Sequence, residues 1–318
     1  MMPPQPSTPE LSTPEPSTGG ARSIVSIGEC MVELSQGNGG LLRMGFAGDT
    51  FNTAWYLRRE LGAGFKVAYL SAVGEDKTSD EMLAFMASGG IDTSLIRRLP
   101  GRMPGLYLIH LDGAERSFSY WRDTSAAKAL ADDETHLDAA FAQGDAFYIS
   151  GITLAILARP ARERLLSRLG AARSAGKLVA FDPNIRPRLW PDAVDMRLAI
   201  EAGAAISTIC LPSYPDEQAA FGDASPQASA ARYLALGAAE VVVKDGPAPA
   251  ILGEAGKAGF TTLPAAPSVQ AVDTTGAGDS FSGAYVAARL RGLSPAEAVR
   301  CGHALAGEVV CHHGALIR

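Results

Sequence analysis

The sequence predicts an α/β protein. A mostly parallel central sheet is covered by helices on both faces, and a small β element stands off it. Short apolar runs alternate with helical patterns along most of the chain. One stretch, residues 105–121, breaks that rhythm with two β-rich runs and no helix on either side. The chain has 318 residues, 47% apolar and 19% charged, which suits one or two globular domains with a sizeable core and excludes global disorder.

Residues 1–21 are expected to form a disordered tail. They are rich in Pro, Ser and Thr, and Ser-Thr-Pro-Glu occurs at Ser7–Glu10 and again at Ser12–Glu15. Such a segment buries too little apolar surface to offset its ordering entropy. The folded domain then spans residues 22–318. Ser23–Gly28 is an apolar run ending in glycine and suits a buried strand. Asp49–Leu61 has a helical pattern and Lys66–Ala72 reads as a strand. Strands are predicted at Ala146–Ser150, Leu178–Asp182, Ala205–Leu211 and Val241–Lys244. Helices are predicted at Pro160–Ala175, Pro191–Ala202, Ser225–Leu236, Ala277–Arg291 and Pro295–Val310. Such alternation gives right-handed crossovers, which place ligands at the carboxyl ends of the strands.

Gly105–Leu111 and Ala114–Trp121 flank Asp112-Gly113, a strong signal for a hairpin with a type I′ turn. With Gly39–Phe46 the hairpin is expected to form a small separate sheet, a β lid made of about residues 37–47 and 103–123. A free apolar edge invites pairing, so a homodimer or higher homo-oligomer built on the lids is expected.

Composition excludes several classes of function. The net charge of −6, without a Lys/Arg block, argues against nucleic acid as a partner. No apolar run reaches the ~18 residues needed to span a bilayer. The first residues lack the basic and apolar regions of a signal peptide. The four cysteines, Cys30, Cys210, Cys301 and Cys311, form no C-x-x-C pair, and buried thiols in a reducing cytoplasm are the simplest reading.

The chemistry concentrates in Val272–Phe281, Val-Asp-Thr-Thr-Gly-Ala-Gly-Asp-Ser-Phe. Gly276, Ala277 and Gly278 lead into a helical pattern, and free N–H groups at a helix start favour an anion such as a phosphoryl group. Asp279 falls in the first turn, where a carboxylate can take a proton from an attacking hydroxyl. The alternative is a glycine-rich loop with Asp279 as a helix cap.

These ten residues resemble the Asp-Thr-x-Gly-Ala-Gly-Asp signature of the ribokinase-like, phosphofructokinase B-type sugar kinases. The resemblance runs from about Ser23 to the C-terminus, and it implies a ribokinase-like three-layer fold, ATP and Mg²⁺, with a monovalent cation left open. A second element, Ala47-Gly48-Asp49-Thr50-Phe51-Asn52-Thr53-Ala54, has alanine where many members have glycine. Gly48, Asp49 and Asn52 could present hydroxyl-binding groups at a helix start, or Asn52 could be an ordinary helix-surface residue.

That element and Gly113–Arg122 look most like the 2-keto-3-deoxygluconate kinases. In those enzymes the Tyr-x-Arg end of the strand contacts the sugar acid, which here implies Tyr120 and Arg122, with Tyr107 on the preceding strand. An Arg fork suits a carboxylate, whereas a neutral sugar needs none. The alternative for Arg122 is a solvated edge-strand charge. Two rival functions stay open: a kinase for a neutral sugar such as fructose or a riboside, and a non-catalytic sugar-acid sensor.

Asp182-Pro183-Asn184-Ile185-Arg186 follows a predicted strand, and the family has Asp-x-Asn-x-Arg here, close to phosphates and metal. The resemblance implies that Asn184 and Arg186 bind the nucleotide, with Arg186 also at the substrate. Where many members have Asn-x-x-Glu, this chain has Ser213-Tyr214-Pro215-Asp216, which assigns Ser213 to the nucleotide and Asp216 to the metal shell with a shorter carboxylate. Lys244 and Gly246 match the nucleotide loop, but Pro249 replaces its last glycine and has no N–H to donate. His303 stands where the family has a nucleotide-contacting Asn.

Overall fold

The structure is a computed structural model, and it describes residues 22–112, 115–265 and 268–317. The tail 1–21, Gly113 and Ala114 lie outside the described residues. The elements run β1 (Arg22–Ile27), β2 (Met31–Gln36), β3 (Leu42–Ala47), α1 (Asp49–Glu60), β4 (Phe65–Val73), α2 (Lys77–Ser88), β5 (Ile96–Arg98), β6 (Leu106–Asp112) and β7 (Glu115–Trp121). Next come α3 (Glu134–Gln143), β8 (Ala146–Ser150), α4 (Gly151–Ile156), α5 (Arg159–Ser174), β9 (Leu178–Asp182), α6 (Ala193–Ala205), β10 (Ile209–Cys210), α7 (Tyr214–Phe221) and α8 (Pro226–Ala235). The chain closes with β11 (Glu240–Val243), β12 (Ala250–Glu254), β13 (Thr261–Leu263), α9 (Ala277–Leu290) and α10 (Pro295–Val309).

Nine strands form one sheet in the order β13-β12-β11-β10-β9-β8-β1-β4-β5. From β5 to β11 the pairing is parallel, and β12 and β13 add an antiparallel edge. The central strands are apolar on both faces because both faces are covered. Val25, Ile27, Phe147 and Phe181 pack under α3–α8. Ile24, Tyr69, Tyr148 and Ala180 pack under α1, α2, α9 and α10. The expected three layers follow from this division.

Helices α1 and α9 approach closely at Gly283, where a Cβ would come within 2.8 Å of Tyr56 Cβ and 3.0 Å of the Thr53 carbonyl oxygen. Any larger residue would push the two helix starts apart, and both carry candidate site residues.

The predicted strand Ala205–Leu211 shrinks to Ile209–Cys210. The Ala-Gly-Ala-Ala stretch before it continues α6 to Ala205, as alanine's helix propensity favours. The thiols also divide: Cys30 and Cys210 are buried, whereas Cys311 is exposed.

A second sheet has the order β3-β2-β6-β7. It takes in Met31–Gln36, ahead of the residue 37 boundary expected for the lid. Asp112, expected as the first turn residue of the hairpin, is instead the last rung of β6 and pairs with Glu115. Side-chain alternation along the paired strands puts Leu42, Met44 and Trp121 on one face, where they are 53%, 49% and 59% exposed. Glu33, Tyr107 and Tyr120 occupy the opposite face.

Candidate active site

The carboxyl ends of β9 and β11 meet the N-terminus of α9. Gly276 caps that helix with φ 77°, and a Cβ there would lie 2.7 Å from the Ala315 carbonyl oxygen, so both conformation and space select glycine. The first-turn N–H groups of a helix have no partner within it, so those of Gly278 and Asp279 are available to an anion. A Cβ at Gly278 would meet only the Lys244 ammonium, at 3.8 Å.

Asp279 is half-buried in the first turn of α9. Asn52 Nδ2 donates to its Oδ2 at 2.8 Å, and Thr53 Oγ1 donates to its backbone oxygen at 3.3 Å. The Asp279 carboxyl is pushed up to about 7, chiefly by desolvation, with Asp49 and Asp182 adding to the rise and the Asn52 hydrogen bond and Lys244 opposing it. A carboxylate poised near neutrality is suited to general-base work.

Asp49, at the start of α1, accepts from Asn184 Nδ2 at 2.8 Å. Asn184 sits at φ 34°, a left-handed conformation that asparagine tolerates, and its N–H bonds Asp182 Oδ1 at 3.0 Å. The Asp182–Arg186 loop is thereby tied to the same helix start that holds Asp279. Gly48 and Asn52 belong to that start too: the Gly48 N–H bonds Asn52 Oδ1 at 3.3 Å.

Lys244 is buried, with Nζ 2.6 Å from Asp182 Oδ2 and 3.3 Å from Ser282 Oγ. The ammonium therefore lies beside the glycine loop of α9. Gly246, at φ 53°, turns the chain away after it. Ser213 precedes α7 and bridges to Lys244. Arg186 Nη1 lies 3.5 Å from Asp216 Oδ2 on a half-exposed rim. Burial raises the Asp216 carboxyl and Arg186 opposes that rise. His303 Nδ1 is 3.1 Å from the Pro264 carbonyl oxygen, its ring is 5.2 Å from Phe281, and burial lowers its pKa.

On the small sheet, Tyr107 donates to Glu33, and its ring is 5.9 Å from that of Tyr120. Arg122 forms an ion pair with Glu29, whose side chain is 1% exposed. A cavity of about 650 Å³ opens between the Glu33 face of the small sheet and the loop leading into α9, lined by Arg43, Asp273, Thr275 and Ala315 among others.

Four residues of this cluster were not predicted from sequence: Glu29, Glu33, Asp182 and Ser282. Asp182 stands at the head of the Asp-x-Asn-x-Arg motif and was legible there. Glu29 follows the glycine that ends β1, a position where α/β sites form. Glu33 and Ser282 had no signal beyond their polarity within apolar segments. Among the described residues, no group of three or more His, Cys, Asp and Glu is arranged to hold a metal. No helix there is long and apolar enough to cross a membrane.

Residues 21–317 match the family described as pfkB family carbohydrate kinase. The chain belongs to that family. It is 40% identical to a 2-dehydro-3-deoxygluconokinase of Dickeya dadantii, over 93% of this chain and 97% of the relative. Identity to a 2-dehydro-3-deoxygluconokinase of Escherichia coli K12 is also 40%, with the same coverage. A PfkB protein of Polaromonas sp. JS666, known from its crystal structure, superposes with a TM-score of 0.80 at 29% identity, covering 92% of this chain and 96% of that one. Within this pfkB kinase, the cluster around Asp279 lies on the two helix starts that carry the family's motifs.

Proposed function

We propose that this chain is an ATP-dependent kinase that converts 2-keto-3-deoxygluconate (2-dehydro-3-deoxygluconate) to 2-keto-3-deoxy-6-phosphogluconate. The observation that carries this reading is Asp279, half-buried, held at 2.8 Å by Asn52 and raised to about 7 beside a glycine loop with free N–H groups. The names of the relatives supply the substrate class.

Asp279 accepts the proton of the 6-hydroxyl as that oxygen bonds to the γ-phosphorus, while the bond from the γ-phosphorus to the β,γ-bridging oxygen breaks and ADP leaves. The first-turn N–H groups of Gly278 and Asp279 donate to the phosphoryl oxygens, Gly276 and Ala277 shape the loop (the Ala277 N–H bonds the Thr274 carbonyl oxygen at 3.3 Å), and Lys244 adds positive charge beside it. Hydroxyls of the sugar donate to Asp49 at the start of α1 and lie beside Asn52, with Gly48 leaving room. Tyr107, Tyr120 and Arg122 close over it, and Arg122 offers donors to its carboxylate. Asn184, Arg186, Ser213, Gly246 and His303 line the nucleotide side.

The glycine loop and its adjacent ammonium fit a polyphosphate: the face of Gly278 is open and cationic. Asp216 is the carboxylate nearest the rim for a magnesium ion carried on those phosphates, since Mg²⁺ commonly keeps waters and takes one or two carboxylates. When bound, Mg²⁺ neutralises phosphate charge.

The small sheet acts as a lid that excludes water, so that the sugar hydroxyl wins over hydrolysis. Its apolar face of Leu42, Met44 and Trp121 pairs with that of a second copy in a homodimer. One coupled assay of ADP release tests the function over 2-keto-3-deoxygluconate, gluconate, fructose and a riboside. Efficient turnover confined to the sugar acid supports the reading. A preference for the neutral sugars, or no turnover of any, overturns it.

A further inference from the structure

Glu29 is buried to 1% of its side chain, and isolated carboxylates are not buried without strong partners. Its partners come from every place where the chain passes between the main body and the lid. Glu29 itself lies where β1 leaves the large sheet and β2 enters the lid. Its Oε2 accepts from Arg122 Nη2, one residue after β7 ends. Its Oε1 accepts from Ser125 Oγ, on the same return to the body. A Cβ at Gly105, just before β6, would lie 2.7 Å from Oε1 and 3.1 Å from Arg122 Cβ. A Cβ at Gly48, between β3 and α1, would lie 2.2 Å from the Glu29 carbonyl oxygen. Two glycines thus leave the room that lets one glutamate touch all four crossings.

This arrangement fixes the Arg122 guanidinium from two sides. Glu29 holds Nη2, and the Tyr120 ring lies 6.0 Å from the guanidinium carbon. A guanidinium has five N–H donors in a planar fork, so the Glu29 bond leaves others for a ligand. A group held in place before binding loses less rotamer freedom when the ligand arrives.

We propose that Glu29 is a positioning residue that sets Arg122 for the carboxylate of the sugar acid, at the junction of lid and body. This rests on the reading of the chain as a sugar-acid kinase with Arg122 at the carboxylate. Glu29 itself stays out of reach of the sugar and acts through Arg122. Charge on the substrate is thereby coupled to the point where the lid is hinged.

The test uses the full chain with ATP and two substrates, 2-keto-3-deoxygluconate and its neutral C1 alcohol. Glu29→Gln keeps the shape and removes the charge. The expected result is a KM for the sugar acid raised about tenfold or more, the scale of one charge-assisted hydrogen bond. Its kcat and its KM for ATP should stay within about twofold, and the ratio of kcat/KM for acid over alcohol should fall. Ser125→Ala, which leaves both charges in place, should move the same ratio in the same direction by less. A lowered Tm with an unchanged ratio in Glu29→Gln overturns the proposal and leaves Glu29 a purely structural ion. If Glu29→Gln does not fold, an unchanged ratio in Ser125→Ala overturns it. A parent enzyme that does not phosphorylate the sugar acid overturns the functional reading, and this inference with it. A parent that does, with an unmoved ratio, overturns this inference alone.

Discussion

Asn52 Nδ2 donates to Asp279 Oδ2 at 2.8 Å, joining two helix starts that lie 227 positions apart in the chain. The bond orients the carboxylate and lowers its proton affinity against the burial that raises it. With Asp279 as the proposed base, which must be ionised to accept a proton, kcat/KM should fall as pH drops through about 7. Asn52→Ala removes the stabilising donor and should move that acid limb to higher pH. A pH–rate profile of kcat/KM for both proteins checks it, and an unshifted limb would separate Asn52 from the base.

Asp279→Asn should remove phosphoryl transfer while ATP binding persists. General-base assistance is typically worth about 10²–10⁴-fold. Single-turnover rates together with calorimetric ATP titration distinguish lost chemistry from lost binding. A variant that keeps most of its kcat would rule Asp279 out as the base.

The same substitution makes a prediction about stability. The folded protein holds the Asp279 carboxyl at about 7, against an ordinary value of 3.8. Between those values the native state binds more protons than the unfolded chain, so this group's contribution to stability declines as pH rises through the window. Asp279→Asn should therefore raise Tm relative to the parent more at pH 8 than at pH 5. Thermal unfolding at the two pH values measures it, and an equal shift at both would contradict the raised proton affinity.

Arg122→Ala should weaken the sugar acid far more than ATP, by roughly one to two decades in kcat/KM. It should also destabilise the fold, because it leaves the buried Glu29 carboxylate without its cation, an effect of about 3–5 kcal/mol for a broken buried pair. Arg122→Lys should recover part of each loss, since an ammonium keeps the charge without the planar fork. Chemical denaturation and steady-state kinetics measure the two losses separately. Full stability in Arg122→Ala would mean that the Glu29 pair is not formed in solution.

Light scattering at micromolar concentration should give at least a dimer. Leu42→Lys combined with Trp121→Glu places charge on the exposed lid face and should yield a monomer. A parent that is already monomeric would contradict pairing of the lids.

The linear sequence determined the layered α/β architecture, the glycine loop before α9 and the hairpin. These are local features: apolar runs, helix periodicity and turn residues are written in consecutive positions, where a short window reads them. It did not determine where the charges meet. Glu29 and Arg122 are 93 positions apart, and Lys244 and Asp182 are 62 apart. Neither pair has a local pattern, because a buried ion pair is defined by which crossings the fold brings together. The motif singles out Lys244, but only the parallel pairing through β9, β10 and β11 places its ammonium beside Gly278. Met31–Gln36 joined the lid for the same reason. A strand's partners are set by hydrogen-bond pairing across the sheet, and its own residues fix only its alternation.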